Sequence, residues 1–410
     1  MKYEKITAHS QIYSVIITNS RAEALRKSSQ EQATARVYDN GFIGTAGQIG
    51  PYDAGELFKR AQDKLSAGIP YPCMLGHETR KEDAFKHIIQ PARFLPEIKE
   101  LLFRLRESCP DFIFSNRINL RESEKHYTNS EGAQLDYRGN SINFSIVIKD
   151  KNSSNIMDGS YNCLTDFYDG EGVIKDIVKF TQAYKKQVEL PERELPVILD
   201  LSLIGMFIND FSGERYAAGA GILRDKLHKK TFSENFSLLL DSSSMPHTCF
   251  FDAEGTVKEK DKFYLVKEGA VSGMLTTKRT ADKYGLPLSG SAAAAFDGVP
   301  YAGMGGLTLG KKALNIADIL KGQGIFVAMS SGGDMTGSGD IGMPVQLAFL
   351  YEDGELIGRL PELMLSGNIF EILNQGFIGC AQTGPFCYSE EPVMACRMNA
   401  KRRYSVCKVQ

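Results

Sequence analysis

Apolar positions recur along this chain with two periods, and the change from one to the other predicts its elements. In ARVYDNGFIGTAG (35–47) two apolar runs flank Asn40-Gly41. Both central positions of a type I′ turn need positive φ, so this pair predicts a hairpin. The next stretch, PYDAGELFKRAQDKLSAG (51–68), changes to a helical period. Leu57, Ala61 and Leu65 share one stripe, Asp53 is placed to cap the first turn, and Gly68 closes the helix. LPEIKELLFRLRES (95–108) repeats Ile98, Leu101, Leu102 and Leu105 at 3.6-residue spacing, with Pro96 assigned to the first turn. YTNSEGAQLDYRGNSINFSIVI (127–148) returns to alternation, and GVIKDIVKFTQAYKKQ (172–187) to a helix.

ELPERELP (189–196) sets two prolines among charges and predicts a linker. Beyond it the chain turns to short strands rich in glycine and alanine. FYLVKEGAVSGML (263–275) and LAFLYEDGELIGRL (347–360) both run apolar strand, acidic-glycine turn, apolar strand. Helices are expected at RDKLHKK (224–230) and LSGNIFEILNQG (365–376). The fold class is α+β: an N-terminal α/β domain of antiparallel strands and helices over 1–190, and a C-terminal β-rich domain over 191–410.

Composition narrows the function classes. A length of 410 residues suggests more than one core. The net charge of −2 gives no global case for nucleic acid, so no direct nucleic-acid partner is expected. The start, MKYEKITAHS, has no apolar signal core, and the longest apolar run, PVILDLSLIGMFI, carries an aspartate and is too short to span a membrane. The eight cysteines include no CxxC pair, which predicts reduced thiols and a cytoplasmic location.

Three short patterns invite chemistry and do not sustain it. GSGDIG (337–342) fits a dinucleotide fingerprint, but Pro344 and the alternating PVQLAFLY follow it where a helix is required. It is better taken as a glycine loop before a strand. His77 and His87 stand ten residues apart, on different turns, whereas a zinc-binding helix needs spacing of about four. CAQTGPFCYSEEPVMACRM spaces its cysteines too widely for a zinc finger and suits buried thiols.

Five passages taken together are more specific: YTNSEG (127–132), FFDAEGT (250–256), LVKEGAVSGMLTTKRTA (265–281), GDMTGSGD (333–340) and LYEDGELIGRLPELMLSGNIFEIL (350–373). In this order they resemble the TldD/PmbA family, whose members have been called modulators of DNA gyrase. The resemblance runs over nearly the whole chain. It implies an N-terminal α/β domain, a β-rich C-terminal domain, and one of two kinds of subunit. The TldD kind carries HExxxH on a helix plus a distant cysteine and binds a metal for peptide hydrolysis. The PmbA (TldE) kind lacks that motif and pairs with the first.

The resemblance places the motif helix at GILRDKLHKK (221–230). If Arg224-Asp225 holds the His-Glu position, the second histidine position is Lys229. If His228 is the second histidine, the first is Leu223 and the glutamate is Arg224. Neither register supplies two histidines and a glutamate. Arginine offers no lone pair, and Lys226, Lys229 and Lys230 add repulsion towards a divalent cation. Cys380, with Cys387 as an alternative, stands where the family's metal cysteine would fall.

These features lead to a PmbA/TldE-like subunit of a cytosolic metalloprotease that degrades or matures unfolded or leader-bearing peptides. Zinc would sit in a metal-bearing TldD-like partner, as a heterodimer, with a homodimer as the other assembly. No metal is expected in this chain. Two alternatives stay open: an active metallopeptidase using an atypical set of Asp225, His228 and Cys380, and a protein that binds gyrase or a toxin.

Overall fold

The computed structural model describes residues 1–243, 247–386 and 392–403. Its first half is built on one long, mainly antiparallel sheet. Strands β1 (Lys2–Thr18), β2 (Arg21–Asp39), β3 (Phe42–Ile49), β4 (Ile69–Pro70), β5 (Thr79–Ala84), β6 (Phe112–Asn129) and β7 (Gln134–Asp150) lie in the order β4-β3-β2-β1-β6-β7-β5. A further strand, β8 (Gly159–Thr165), pairs with β7. The turn joining β2 to β3 has φ of +49° at Asn40 and +82° at Gly41, as a type I′ turn demands.

Helix α1 (Ala54–Asp63) forms where its stripe predicts. Asp53 accepts the Glu56 N–H at 2.9 Å, and Leu57 and Ala61 are buried against β2 and β3. Helix α2 (Pro91–Ser108) starts four residues before the predicted stretch, because Pro91 supplies the first-turn proline. Pro96 therefore lies inside the helix and not in its first turn. Helix α3 (Gly170–Lys185) is capped by Asp169, which accepts the Gly172 N–H.

The second half holds a mixed ten-stranded sheet. Its main path runs Ala313–Asn315, Phe377–Thr383, Val393–Arg397, Pro196–Leu199, Gln323–Ser330, Asp340–Glu352, Leu363–Asn368 and Asn399–Arg402. Alternation along Asp340–Glu352 shows how this sheet is buried. Leu347, Phe349 and Tyr351 enter the core shared with α2 and α3, while Ala348 and Leu350 enter the core on the opposite face. A strand covered on both faces reads as a continuous apolar run, which is why the alternation of PVQLAFLY gives way to an unbroken apolar LAFLY at 347–351.

Helices α2 and α3 are thus sandwiched between the long sheet and the ten-stranded one. Phe180 of α3 meets Phe349 edge to face at 5.2 Å. On its other face the long sheet receives Phe250 and Phe251 from the second half, packed on Ile6, Tyr127 and Leu135. The second half therefore holds the first from both faces. Between them, residues 189–194 are partly or fully exposed.

Both acidic-glycine turns close hairpins, with positive φ at Glu268-Gly269 and at Asp353-Gly354. Two predicted helices need correction. LSGNIFEILNQG is helical only over Ile369–Ile372, and its first residues complete the strand Leu363–Asn368. RDKLHKK is not a helix but a run of turns. Its hydrogen bonds reach back three residues, from Lys226 N–H to Leu223 O and from Lys229 N–H to Lys226 O. His228 has φ of +63° and gives its N–H to Val271 O. Leu223 is buried and Leu227 packs on the core, so the apolar spacing is satisfied without helical bonds.

Candidate functional site

Four of the passages singled out in the sequence converge where the 250–257 loop meets the long sheet. Glu4 on β1 and Arg36 on β2 are cross-strand neighbours, fully buried, with Nη1 and Oε1 at 2.7 Å. Tyr127 on β6 donates its hydroxyl to the same carboxylate at 2.9 Å, and Arg36 also donates to the Ala253 carbonyl at 2.5 Å. Gly255 lies so close to the Tyr127 ring that a Cβ there would stand 2.3 Å from it, and its φ is +67°. That glycine is required by both contact and conformation.

Beside this pair sit two more buried carboxylates. Asp252 accepts N–H groups from Glu254 (2.8 Å), Thr256 (2.9 Å) and Ala292 (2.9 Å). Glu254 accepts the Lys278 N–H on both oxygens, at 3.1 and 3.0 Å, and the Tyr71 hydroxyl. Lys278 returns its ammonium to the Glu254 carbonyl at 2.7 Å. Burial, and next the charge of Asp252, push the Glu254 carboxyl up to about 7. Burial likewise raises Asp252 and lowers Lys258, whose ammonium bonds the Gly290 carbonyl at 3.0 Å.

Outside this junction opens a pocket of about 680 Å³ between the two halves, walled by Pro70, Tyr71 and Pro72 on one side and by Glu214, Arg279 and Tyr284 on the other. Its size is that of a ligand pocket. Tyr71 links the two levels, since its ring faces the pocket and its hydroxyl holds Glu254. The sequence reading missed Glu4, Arg36, Tyr71 and Lys278. The available signal was a charge at an inward position of an apolar strand, as with Arg36 in TARVY. YTNSEG proves to be an anchor and a turn: Asn129 accepts the N–H groups of Glu131 and Ala133 and donates to the Gly76 carbonyl.

The residues considered for a metal are not brought together. Val271, Val266, Leu238 and Leu309 lie in one row across four strands. His228 is attached beyond the first of these, and Cys380 gives its thiol hydrogen to Gly310 O, 3.2 Å away, beyond the last. Three inter-strand steps make about 14 Å, whereas ligands of one zinc stand within about 2.3 Å of it. Asp225 is exposed and flanked by Lys226 and Lys229, at 3.9 and 4.0 Å. Burial pushes the Cys380 thiol up to about 11, away from the thiolate that a metal requires. Among the described residues no group of three or more His, Cys, Asp or Glu side chains is placed to hold an ion. Cys387 lies outside the described residues. The donor set therefore does not fit a catalytic zinc.

The GSGDIG loop closes on itself. Asp340 accepts from Ser338 (2.6 Å) and Asn368 (3.0 Å), which hold its carboxyl below the usual range, and a strand follows it.

Comparisons with known proteins agree with this architecture. Residues 192–382 match the PmbA/TldA metallopeptidase C-terminal domain. A metalloprotease of Methanothermobacter thermautotrophicus is 23% identical over 382 residues, covering 88% of this chain and 84% of its own. One from Archaeoglobus fulgidus is 25% identical over 305 residues, 70% of each chain. Among solved structures, TldE from Thermococcus kodakarensis superposes with a TM-score of 0.77 at 17% identity, over 98% of this chain and 97% of that one. A protein described as a modulator of a DNA gyrase from Thermotoga maritima gives 0.76 at 16%, over 97% and 95%. At these identities the structures establish the fold. The protein is thus a metallopeptidase homologue of α+β architecture. Its residues 192–382 form the C-terminal domain of the PmbA/TldD metallopeptidase family. Among the described residues no helix is long and apolar enough to cross a membrane.

Proposed function

We propose that this chain is the non-catalytic, TldE-like subunit of a cytoplasmic two-subunit metallopeptidase that acts on unstructured peptides. The observation that carries the reading is the contrast between a retained fold and a missing donor set. The fold follows TldE over 98% of the chain, while Arg224, Asp225 and His228 stand where the resemblance expects metal ligands. A chain relieved of all function would erode throughout. Here the buried charges of the junction are paired within an intact fold, Arg36 with Glu4 and the Ala253 carbonyl and Lys278 with the Glu254 carbonyl, which supports a structural role.

In this reading the zinc and its water belong to an HExxxH-bearing homologue, where the metal supplies the nucleophile. This chain contributes the opposite wall of the groove. Holding an extended peptide against that wall and excluding water raise the rate through orientation alone. The inter-domain pocket beside Tyr71 and Arg279 is the concave surface on this chain suited to such contact. Related subunits of one fold associate through matching surfaces around a pseudo-two-fold axis.

The test is to express this chain, an HExxxH-bearing homologue from the same cell, and both together, then assay cleavage of an unstructured peptide and run size exclusion. The co-expressed sample is expected to form a complex and to cleave. Full activity from this chain alone, or no association with any such homologue, contradicts the reading.

A further inference from the structure

A second pocket, of about 340 Å³, lies between the end of α3, the loop before β8 and the second half. At its base is Arg359, whose backbone is fixed on both sides: its N–H bonds Lys186 O at 2.7 Å, and its carbonyl accepts the Val188 N–H at 3.0 Å. Its guanidinium lies 4.3 Å from the centre of the Tyr184 ring. Tyr184 is held in turn by its hydroxyl, which donates to Asp158 at 2.7 Å. Asp158 also accepts from Ser153 (2.7 Å), Asn155 (2.9 Å) and the Asp150 N–H (2.9 Å). Its Oδ1 is taken by three of these donors, and no bond runs from Arg359 to Asp158.

The result is a half-buried guanidinium that makes no hydrogen bond or ion pair with any described residue. Arginine at such depth ordinarily meets a planar anion through its fork of donors. The remaining walls say what that anion carries. Met157, Met329 and Leu347 are apolar, Asn155 and Gln346 are polar and uncharged, and Ile156 lines the pocket with 94% of its surface exposed. Together with these residues, Ile156 offers apolar surface on which an alkyl chain can lie. Glu362 at the rim, 4.0 Å from Arg403, disfavours a dianion such as phosphate.

We propose that this pocket binds the carboxylate of a small aliphatic acid, either free or as the C-terminus of a peptide, with Arg359 on the carboxylate and Ile156 on the alkyl chain. The site stands apart from the peptidase reading and does not depend on it.

The experiment is calorimetric titration of the full chain with three probes: 4-methylpentanoate, N-acetyl-leucine and the neutral N-acetyl-leucinamide. At least one acid should bind saturably, with the amide weaker by about tenfold or more, the worth of one charge-assisted contact. Arg359→Met should lose the same factor, and Ile156→Ser should weaken the acid without abolishing it. Arg359→Lys, which keeps the charge and loses the fork, should fall between, and it decides the matter if Arg359→Met lowers the melting temperature. The tighter of the two acids distinguishes a free acid from a peptide end. Equal binding of N-acetyl-leucine and its amide overturns the proposal. So do arginine variants that bind as the parent does, or acids that fail to saturate by about 50 mM, where affinity is negligible.

Discussion

Asp252 and Glu254 are two residues apart and both buried, yet the protein solvates them differently. Asp252 receives three backbone N–H groups, whereas Glu254 receives one N–H and one phenol. The Glu254 carboxyl stands at about 7 in the fold, above the value of about 4.3 for a free glutamate. A raised carboxyl means that the folded state holds its proton more tightly. Its contribution to stability is therefore fully present below about pH 4.3 and is lost as pH rises through 7. Glu254→Gln should remove that loss. Urea melts at pH 5 and pH 8 should show the parent losing stability relative to the variant as pH rises, and parallel behaviour would refute the assignment. Arg36→Met should cost about 3–5 kcal/mol, because Glu4 is left charged and buried without its partner. The double variant Glu4→Gln/Arg36→Met should recover part of that loss in the same melts. None of these pairings was legible in the sequence. Arg36 lies 217 residues from Ala253, and Tyr71 lies 183 from Glu254, so no local pattern joins them.

At the scale of elements, legibility followed locality. Asn40-Gly41, Glu268-Gly269 and Asp353-Gly354 each impose positive φ within two residues, and all three hairpins form where those pairs stand. The cap of α1 is equally local. The segment 221–230 misled because Leu223 and Leu227 have helical spacing, while the deciding bond, His228 N–H to Val271 O, comes from 43 residues downstream. His228 in the left-handed region gives a direct check. His228→Gly should leave stability unchanged or raise it by up to about 1 kcal/mol, and His228→Val should lower it, since a β-branched residue is strained there. Thermal melts of the two variants decide. If both melt together, the left-handed turn is not what this histidine serves.

At the scale of the molecule, we infer a division at about residue 190, and the shared cores shape its consequence. Residues 189–194 are accessible, but α2 and α3 bury one face against Phe326, Phe349 and Tyr351 of the second half. Limited proteolysis is expected to cut within 189–194 and to leave fragments that co-elute on size exclusion. Resistance throughout that segment would count against an exposed linker. The central claim, that this chain is the subunit without the catalytic metal, is met most directly by measuring zinc. The chain should be purified without chelator, alone and in complex with its HExxxH-bearing homologue, and its metal counted by mass spectrometry. The account predicts well under one zinc for this chain alone and about one for each pair of subunits. A single tightly held zinc on the isolated chain, lost in His228→Ala or Cys380→Ala, would contradict it.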